Sequence, residues 1–214
     1  RRGERIALIG PNGAGKTTVF NLITGIYPPD GGEIRFDGTR LRGLKPHDIT
    51  ELGIARTFQT LRLFQNLTAL ENVMAGRHCR SRAGLVAGLL RTPSQRAEEE
   101  AIRAEAERHL RFMGLWEYRD EPARNLPYGD QRRLEVARAL ATRPRLLVLD
   151  EPAGGLNEGE TRDLMGLIRQ LSGSGLTILL IEHDMTVVMG VSDRVVVLDN
   201  GSKISEGTPQ EVRS

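Results

Sequence analysis

Gly10, Gly15, Lys16 and Thr17 stand in the spacing G-x-x-x-x-G-K-[ST]. Residues of these types in this order can hold a polyphosphate. Glycines let backbone N–H groups point inward at an anion, a lysine reaches the outer phosphate oxygens, and a threonine hydroxyl ligates Mg²⁺. The whole loop, Gly10, Pro11, Asn12, Gly13, Ala14, Gly15, Lys16, Thr17 and Thr18, is therefore a candidate cradle for a nucleoside triphosphate. The bland alternative is a glycine turn before a helix. At ordinary residue usage such a match arises by chance in fewer than roughly one in a hundred chains of this size.

A second set of residues has the chemistry to use that phosphate. Asp150 and Glu151 end the apolar run "LLVLD", where the strands of a parallel sheet deliver ligands to the cleft beyond their carboxyl ends. Asp150 suits the metal side, directly or through water, and Glu151 suits a general base that orients the attacking water. Gln59 follows "IARTF", and its amide is a candidate contact for both metal and water. His183 follows "TILLI" and is the histidine placed to donate to a γ-phosphate. His47, His78 and His109 read as surface residues. In "NLPYGDQRRLEVARAL", Gly129 stands at a helix N-terminus, a further place for an anion. An ordinary amphipathic helix with a glycine in its first turn is the alternative there.

These groups need elements to position them. Ile6 to Ile9 reads as a buried strand, and Lys16 to Thr24 has helical spacing up to Gly25, so the glycines fall at a strand-to-helix turn. "GGEIRFDG" and "GIARTFQ" read as strands, and buried strands return as "LLVLD", "TILLIEHD" and "RVVVLDNG" with a helix over Glu160 to Leu171 between them. That alternation predicts a mostly parallel sheet covered by helices. Thr60 to Asp130 is helix-rich instead. Ile102, Ala106, Leu110 and Met113 share one stripe, with Glu99 to Arg103 and Glu107 to Arg111 as expected i,i+4 pairs. Leu134, Ala137 and Ala141 make a stripe on the helix after Gly129.

Composition narrows the class. The 214 residues, 39% hydrophobic and 27% charged, suit one large or two small globular domains. A net charge of +2 leaves no basic stripe for a nucleic-acid partner. One cysteine, Cys79, permits no internal disulfide, which fits a reducing compartment. No run approaches the ~18 apolar residues of a membrane span. The chain reads as soluble and cytosolic. Only nine residues precede Gly10, which suggests a trimmed chain.

The phosphate loop, Gln59, the glycine at a helix start, "LLVLDEP" and His183, in that order, resemble the nucleotide-binding domain of ATP-binding cassette (ABC) transporters. The resemblance implies an α/β fold: a P-loop NTPase (RecA-like) core with a mostly parallel sheet, residues 1–59 and 132–214, and an inserted α-helical subdomain, residues 60–131, ending in the signature motif. It implies that Lys16 and Thr17 belong to Walker A, Gln59 to the Q-loop and Asp150 with Glu151 to Walker B, with His183 as the switch histidine. Catalysis then falls to Glu151, His183 and Gln59, and the metal to Thr17, Gln59 and Asp150. "PYGDQ" is similar to the signature, so Tyr128, Gly129, Asp130 and Gln131 are expected to face the ATP held by a partner domain. The implied cofactors are ATP and Mg²⁺.

The implied partners are a second ATPase subunit, as homo- or heterodimer, permease subunits in the membrane and, indirectly, a substrate-binding protein. The chain is expected to sit peripherally on the inner face of the cell membrane. "ARTFQTLRLFQNLTALENVMAGRH" and "LLIEHDM" look most like the ATPases of branched-chain amino acid importers, with urea, short amides or lipopolysaccharide as other cargoes of similar ATPases. A non-transport ABC ATPase is a further alternative.

The family's usual signature is Leu-Ser-Gly-Gly-Gln, so Tyr128 and Asp130 depart from it, and Asn157 stands where an aspartate is usual. The family's first strands and its adenine-stacking aromatic are expected upstream of this chain. Asp130 is expected in the first turn of a helix starting near Gln131, turned from the phosphate and neutralised by Arg133 or Arg132. Leu61, Leu63 and Phe64 are candidates for an exposed contact with the permease, or for packing inside. "RHCRSRAGLVAGLLR", with Arg77, Arg80, Arg82 and Arg91, is a candidate for a position near lipid headgroups.

Overall fold

The computed structural model describes residues 2–78 and 93–213. Cys79, Arg80, Arg82 and Arg91 fall outside them, and with them most of the segment expected near headgroups. Contacts divide the chain into two compact units, Arg1–Thr60 with Pro144–Ser214, and Leu61–Arg143.

In the first unit a six-stranded sheet runs in the order β4-β5-β6-β1-β7-β8. Its strands are β1 Arg5–Ile9, β4 Ile54–Arg56, β5 Leu146–Asp150, β6 Thr177–Ile181, β7 Arg194–Asp199 and β8 Ser202–Gly207. The first five are parallel, and β8 adds an antiparallel edge to β7. The central strands are apolar at nearly every position, as a sheet covered on both faces requires. "GGEIRFDG" forms less strand than expected. Only β2 Arg35–Phe36 and β3 Thr39–Arg40 pair, as a separate two-stranded hairpin across the Asp37–Gly38 turn.

Helices α1 Lys16–Ile23, α2 Pro46–Leu52, α6 Glu158–Gly173, α7 Met185–Val191 and α8 Pro209–Arg213 belong to this unit. Phe20 of α1 is fully buried in a core with Leu8, Ile49, Val148, Ile181 and Leu198. A fully buried phenylalanine contributes roughly 1.5–3 kcal/mol. The packing that fixes the helix therefore also fixes the loop in front of it.

The second unit is built on helices α3 Ala69–His78, α4 Pro93–Phe112 and α5 Tyr128–Ala141. The stripe Ile102, Ala106, Leu110 and Met113 is buried, as are Leu134, Ala137 and Ala141. The charge pairing differs from expectation. Arg103 pairs with Glu107 at 3.3 Å, and Arg111 lies 3.4 Å from the centre of the Trp116 ring, whose other neighbour is Arg119 at 4.6 Å. Glu107 is taken by Arg103, and the indole offers Arg111 a π surface instead.

The expected boundary between residues 131 and 132 moves to 143/144. A single continuous helix runs from Tyr128 to Ala141, and its buried face belongs to one core. Asn72, fully buried, ties the turn before α3: its carbonyl accepts from Phe64 N–H at 2.9 Å, and its amide donates to the carbonyls of Phe64, Leu67 and Thr68. That turn leaves Phe64 and Leu67 exposed, whereas Leu63 is buried and Leu61 half-buried. Of the expected contact residues Leu63 is thus a core residue.

Candidate nucleotide-binding site

The strands β5, β6 and β1 end at one level. Asp150 and Leu8 both stand opposite Ile181, so the phosphate loop, the Asp150–Glu151 pair and His183 all leave the sheet at the same edge. A six-residue turn carries the chain from β1 to α1. Three of its residues are glycines with left-handed backbones: Gly10 at φ 150°, Gly13 at 83° and Gly15, the N-cap of α1, at 97°. A Cβ on Gly10 would stand 2.1 Å from the carbonyl oxygen of Leu198 in β7, so only glycine fits there. Ala14 is buried, and its carbonyl accepts from Gly201 N–H at 3.0 Å. The loop is thus clamped from β7 and the turn after it.

Lys16 donates its ammonium to the carbonyls of Gly10 and Pro11 at 2.7 and 2.9 Å, arching across the loop. Pro11, Asn12, Gly13, Thr17 and Thr18 are exposed along the rim. N–H groups at the start of α1, an ammonium and two hydroxyls make a donor set directed at an anion, and the helix dipole adds to it.

Asp150 is buried, with Oδ2 accepting from Arg56 Nη2 at 2.7 Å. Glu151 follows it with φ 47°, a left-handed backbone at a non-glycine residue. Such a conformation costs about 1–3 kcal/mol and persists only when its surroundings impose it. Here its N–H donates to Ile181 O at 3.0 Å and its carbonyl accepts from Gly154 N–H at 3.1 Å. The twist lifts the half-buried Glu151 carboxylate out of the strand direction, where Oε2 accepts from Gln59 Nε2 at 2.8 Å. Gln59 therefore meets the carboxylate itself, a partner that its sequence position did not specify.

Among the described residues no group of three or more His, Cys, Asp or Glu side chains is arranged to hold a metal ion. Asp150 and Thr17 supply hard oxygen donors, and phosphate oxygens and water would complete the shell. That division fits Mg²⁺, which is bound through few protein ligands beside a nucleotide.

His183 is exposed beyond β6. Its backbone N–H donates at 3.2 Å to Glu182, whose other oxygen accepts from the backbone N–H of Ala153 at 2.8 Å. Glu182 is 1% exposed. Burial pushes its carboxyl above the ordinary carboxylate value, against the N–H groups of Ala153, Asp184 and His183, which favour the charge. Sequence reasoning missed this residue, although a glutamate closing the apolar run "TILLIE" was a visible signal. Asn157 caps α6: its side chain accepts from Glu160 N–H at 3.0 Å, and Glu160 accepts from Asn157 N–H at 2.9 Å. An asparagine serves that capping box as well as an aspartate.

The residues expected to form the signature lie in the second unit. Helix α5 begins at Tyr128, with Pro127 as N-cap, rather than near Gln131. Pro127 is preset to an extended backbone and starts the helix earlier than the glycine suggested. Gly129 is buried, and Asp130 falls in the first turn, 3.9 Å from Arg133. Gln131 donates to Leu126 O at 2.8 Å. The hydroxyl of Tyr128 accepts from Arg132 Nε and Nη2 at 3.1 and 2.8 Å, and Arg132 in turn lies 3.5 Å from buried Glu135. His109 departs from its surface assignment. It is half-buried, its Nε2 has no partner among the described residues, and burial lowers its pKa.

A mostly parallel sheet with a glycine-clamped phosphate loop after one of its inner strands, and a carboxylate pair and a histidine at the same ends of the strands, defines a P-loop nucleotide-binding protein. Comparison with known proteins narrows this. The family model described as "ABC transporter" matches residues 1–154, and the chain belongs to that family.

It is 50% identical over 216 residues to the high-affinity branched-chain amino acid transport ATP-binding protein LivG of Salmonella typhimurium, covering 100% of this chain and 84% of the relative. It is 49% identical over 209 residues to the corresponding BraF of Pseudomonas aeruginosa, covering 97% and 82%. Among solved structures, the ADP conformation of MJ1267, an ATP-binding cassette of an ABC transporter, superposes with a TM-score of 0.85 at 33% identity, covering 99% of this chain and 83% of that one. A dimeric post-hydrolysis state of the cassette MJ0796 bound to ADP and Pi gives 0.80 at 27% identity, covering 98% and 87%.

Proposed function

We propose that the chain is the ATP-binding and hydrolysing subunit of an importer for branched-chain amino acids, driving uptake as two such subunits close around ATP. The observation that carries the reading is 50% identity along the whole chain to a high-affinity branched-chain amino acid transport ATP-binding protein, with the cradle, the carboxylates and the histidine at one sheet edge.

Bound ATP with Mg²⁺ supplies a polarised phosphoanhydride bond. Gly10 to Thr18 grip its phosphates through backbone N–H groups, and Lys16 leaves the loop carbonyls to neutralise the outer oxygens. Asp150 and Thr17 hold the metal side. Glu151, set off the strand axis and bonded to Gln59, accepts a proton from the attacking water. His183, anchored through Glu182, donates to the outer phosphate. Residues 128–131 of α5 address the nucleotide on the partner subunit, with Gly129 giving backbone access and Asp130 serving the helix dipole. The exposed Phe64 and Leu67, on the turn fixed by Asn72, are the docking point for permease helices and hold the subunit to the membrane.

Glu151→Gln keeps the shape and removes the basic oxygen. It is expected to retain ATP binding, lose about 10²–10⁴-fold in turnover, and accumulate as an ATP-bound dimer in size-exclusion chromatography. Near-normal turnover overturns the general-base role. Uptake of leucine, isoleucine and valine by the reconstituted complex tests the cargo. Uptake of urea, amides or lipopolysaccharide instead would reassign the cargo while leaving the ATPase reading intact.

A further inference from the structure

Arg56 ends β4, a strand otherwise apolar, and its side chain is only 6% exposed. Five contacts converge on it, from the end of β5, from α1 with its C-cap Thr24, and from Phe58 just beyond β4. Nη2 donates to Asp150 Oδ2 at 2.7 Å; Nη1 donates to Asn21 Oδ1 at 2.7 Å and Thr24 Oγ1 at 3.3 Å on the phosphate-loop helix; and the guanidinium lies over the rings of Phe20 and Phe58, 5.5 and 5.0 Å from their centres. A buried ion pair is a poor source of stability, because desolvating both charges costs as much as their attraction returns. A planar guanidinium, however, holds several acceptors in a fixed fork, which an ammonium or an apolar residue cannot reproduce. The pair is therefore better explained by geometry than by stability.

We propose that Arg56 is a positioning residue for the metal carboxylate. By holding Oδ2 it fixes the orientation of the Asp150 carboxylate, and by bonding Asn21 and Thr24 it ties that carboxylate to the helix that carries Lys16 and Thr17. Its charge also offsets that of Asp150, so that the site does not repel a triphosphate arriving without its cation. The proposal rests on Asp150 being the metal-side carboxylate.

The test separates metal from nucleotide. Affinity of the full chain for a non-hydrolysable ATP analogue is measured calorimetrically in EDTA and across a Mg²⁺ titration. Arg56→Met is expected to need at least about tenfold more Mg²⁺ for half-maximal tightening, the usual loss when a partner of a metal ligand is removed. Its affinity in EDTA should fall no more than about as far as that of Asp150→Asn, and Arg56→Lys should recover part of the metal response. If affinity in EDTA and in Mg²⁺ fall by one common factor together with the melting temperature, the role is structural and the proposal is overturned.

If Asp150→Asn shifts the Mg²⁺ response and Arg56→Met does not, the proposal fails while the reading of Asp150 stands. If Asp150→Asn leaves the response unchanged, that reading fails first. Should Arg56→Met not fold, Asn21→Ala removes one anchor from the same fork and is expected to shift the Mg²⁺ midpoint in the same direction by a smaller factor. An unshifted midpoint overturns the proposal.

Discussion

Two helix starts in this chain, the one after the phosphate loop and the one proposed to address a partner's nucleotide, are built by opposite means. Ahead of α1 the backbone is forced: three left-handed glycines, one of them with no room for a Cβ, and a clamp from β7 and the turn after it. Ahead of α5 the backbone is ordinary, with an extended Pro127 as cap and a regular first turn. The first site fixes its residues because the conformation admits no others. The second presents N–H groups that any helix start has, so its geometry does not depend on which side chains stand there. That difference explains how Tyr128 and Asp130 coexist with a family whose usual signature has neither.

Gly10→Ala should break the forced site most completely. With a carbonyl oxygen 2.1 Å from the new Cβ, β7 or the loop must move. Nucleotide affinity is expected to fall by about 100-fold or more, the equivalent of roughly 2.7 kcal/mol, measured by calorimetry. Binding within a few-fold of wild type would show that the loop is not clamped. Gly129→Asp is the matching blow to the second site. ATP-driven pairing of the Glu151→Gln background, followed by sedimentation, should disappear while the affinity of the isolated chain for nucleotide stays.

Glu182→Ala leaves the N–H groups of Ala153 and His183 without their shared acceptor, at a cost of about 1–3 kcal/mol in urea unfolding. Turnover should drop with it, because both loops lose a common anchor. Asp130→Gly is expected to cost only about 0.3–1 kcal/mol, the value of a carboxylate in a first helical turn, and to leave pairing and turnover near normal. Damage equal to that of Gly129→Asp would give the carboxylate a direct role.

The smallest effect concerns His109. Burial lowers its pKa below the ordinary 6.5, so as pH falls through that value the unfolded chain takes up a proton that the folded chain refuses. Stability present above pH 6.5 is lost on acidification, with a slope bounded by one proton, about 1.4 kcal/mol per pH unit. His109→Phe should flatten the profile of unfolding midpoints between neutral and mildly acid pH.

The same contrast governs what was readable beforehand. Lys16, Thr17, Asp150 and His183 announce themselves because type and spacing, or the end of an apolar strand, fix them. The five parallel strands were legible for the same reason, being largely apolar runs between turn residues, whereas β8, the polar and exposed run Ser202–Gly207, was not. Arg56, Glu182, Asn72 and His109 were not, because their partners lie on other elements or along backbone that periodicity cannot bring together. An arginine inside "IART" and a glutamate closing "TILLIE" were signals only in being out of place among apolar neighbours. The start of α5 was misplaced because glycine read as a loop residue, although it is a buried helical one. The boundary at 131/132 followed that error, whereas the short β2–β3 hairpin was overestimated because Ile34 and Phe36 alternate without a long partner to pair with.

Trp116 is the chain's single tryptophan, held between Arg111 and Arg119 in the helical unit, while the phosphate loop lies in the other. Its emission is therefore an intrinsic reporter on the helical unit. Two cations over an indole alter both its brightness and its colour, and they respond to any change in spacing. A fluorescence change on adding ATP would record the helical unit answering an event in the other unit. A silent tryptophan beside tight calorimetric binding would mean that the nucleotide signal stops at the first unit until a partner arrives.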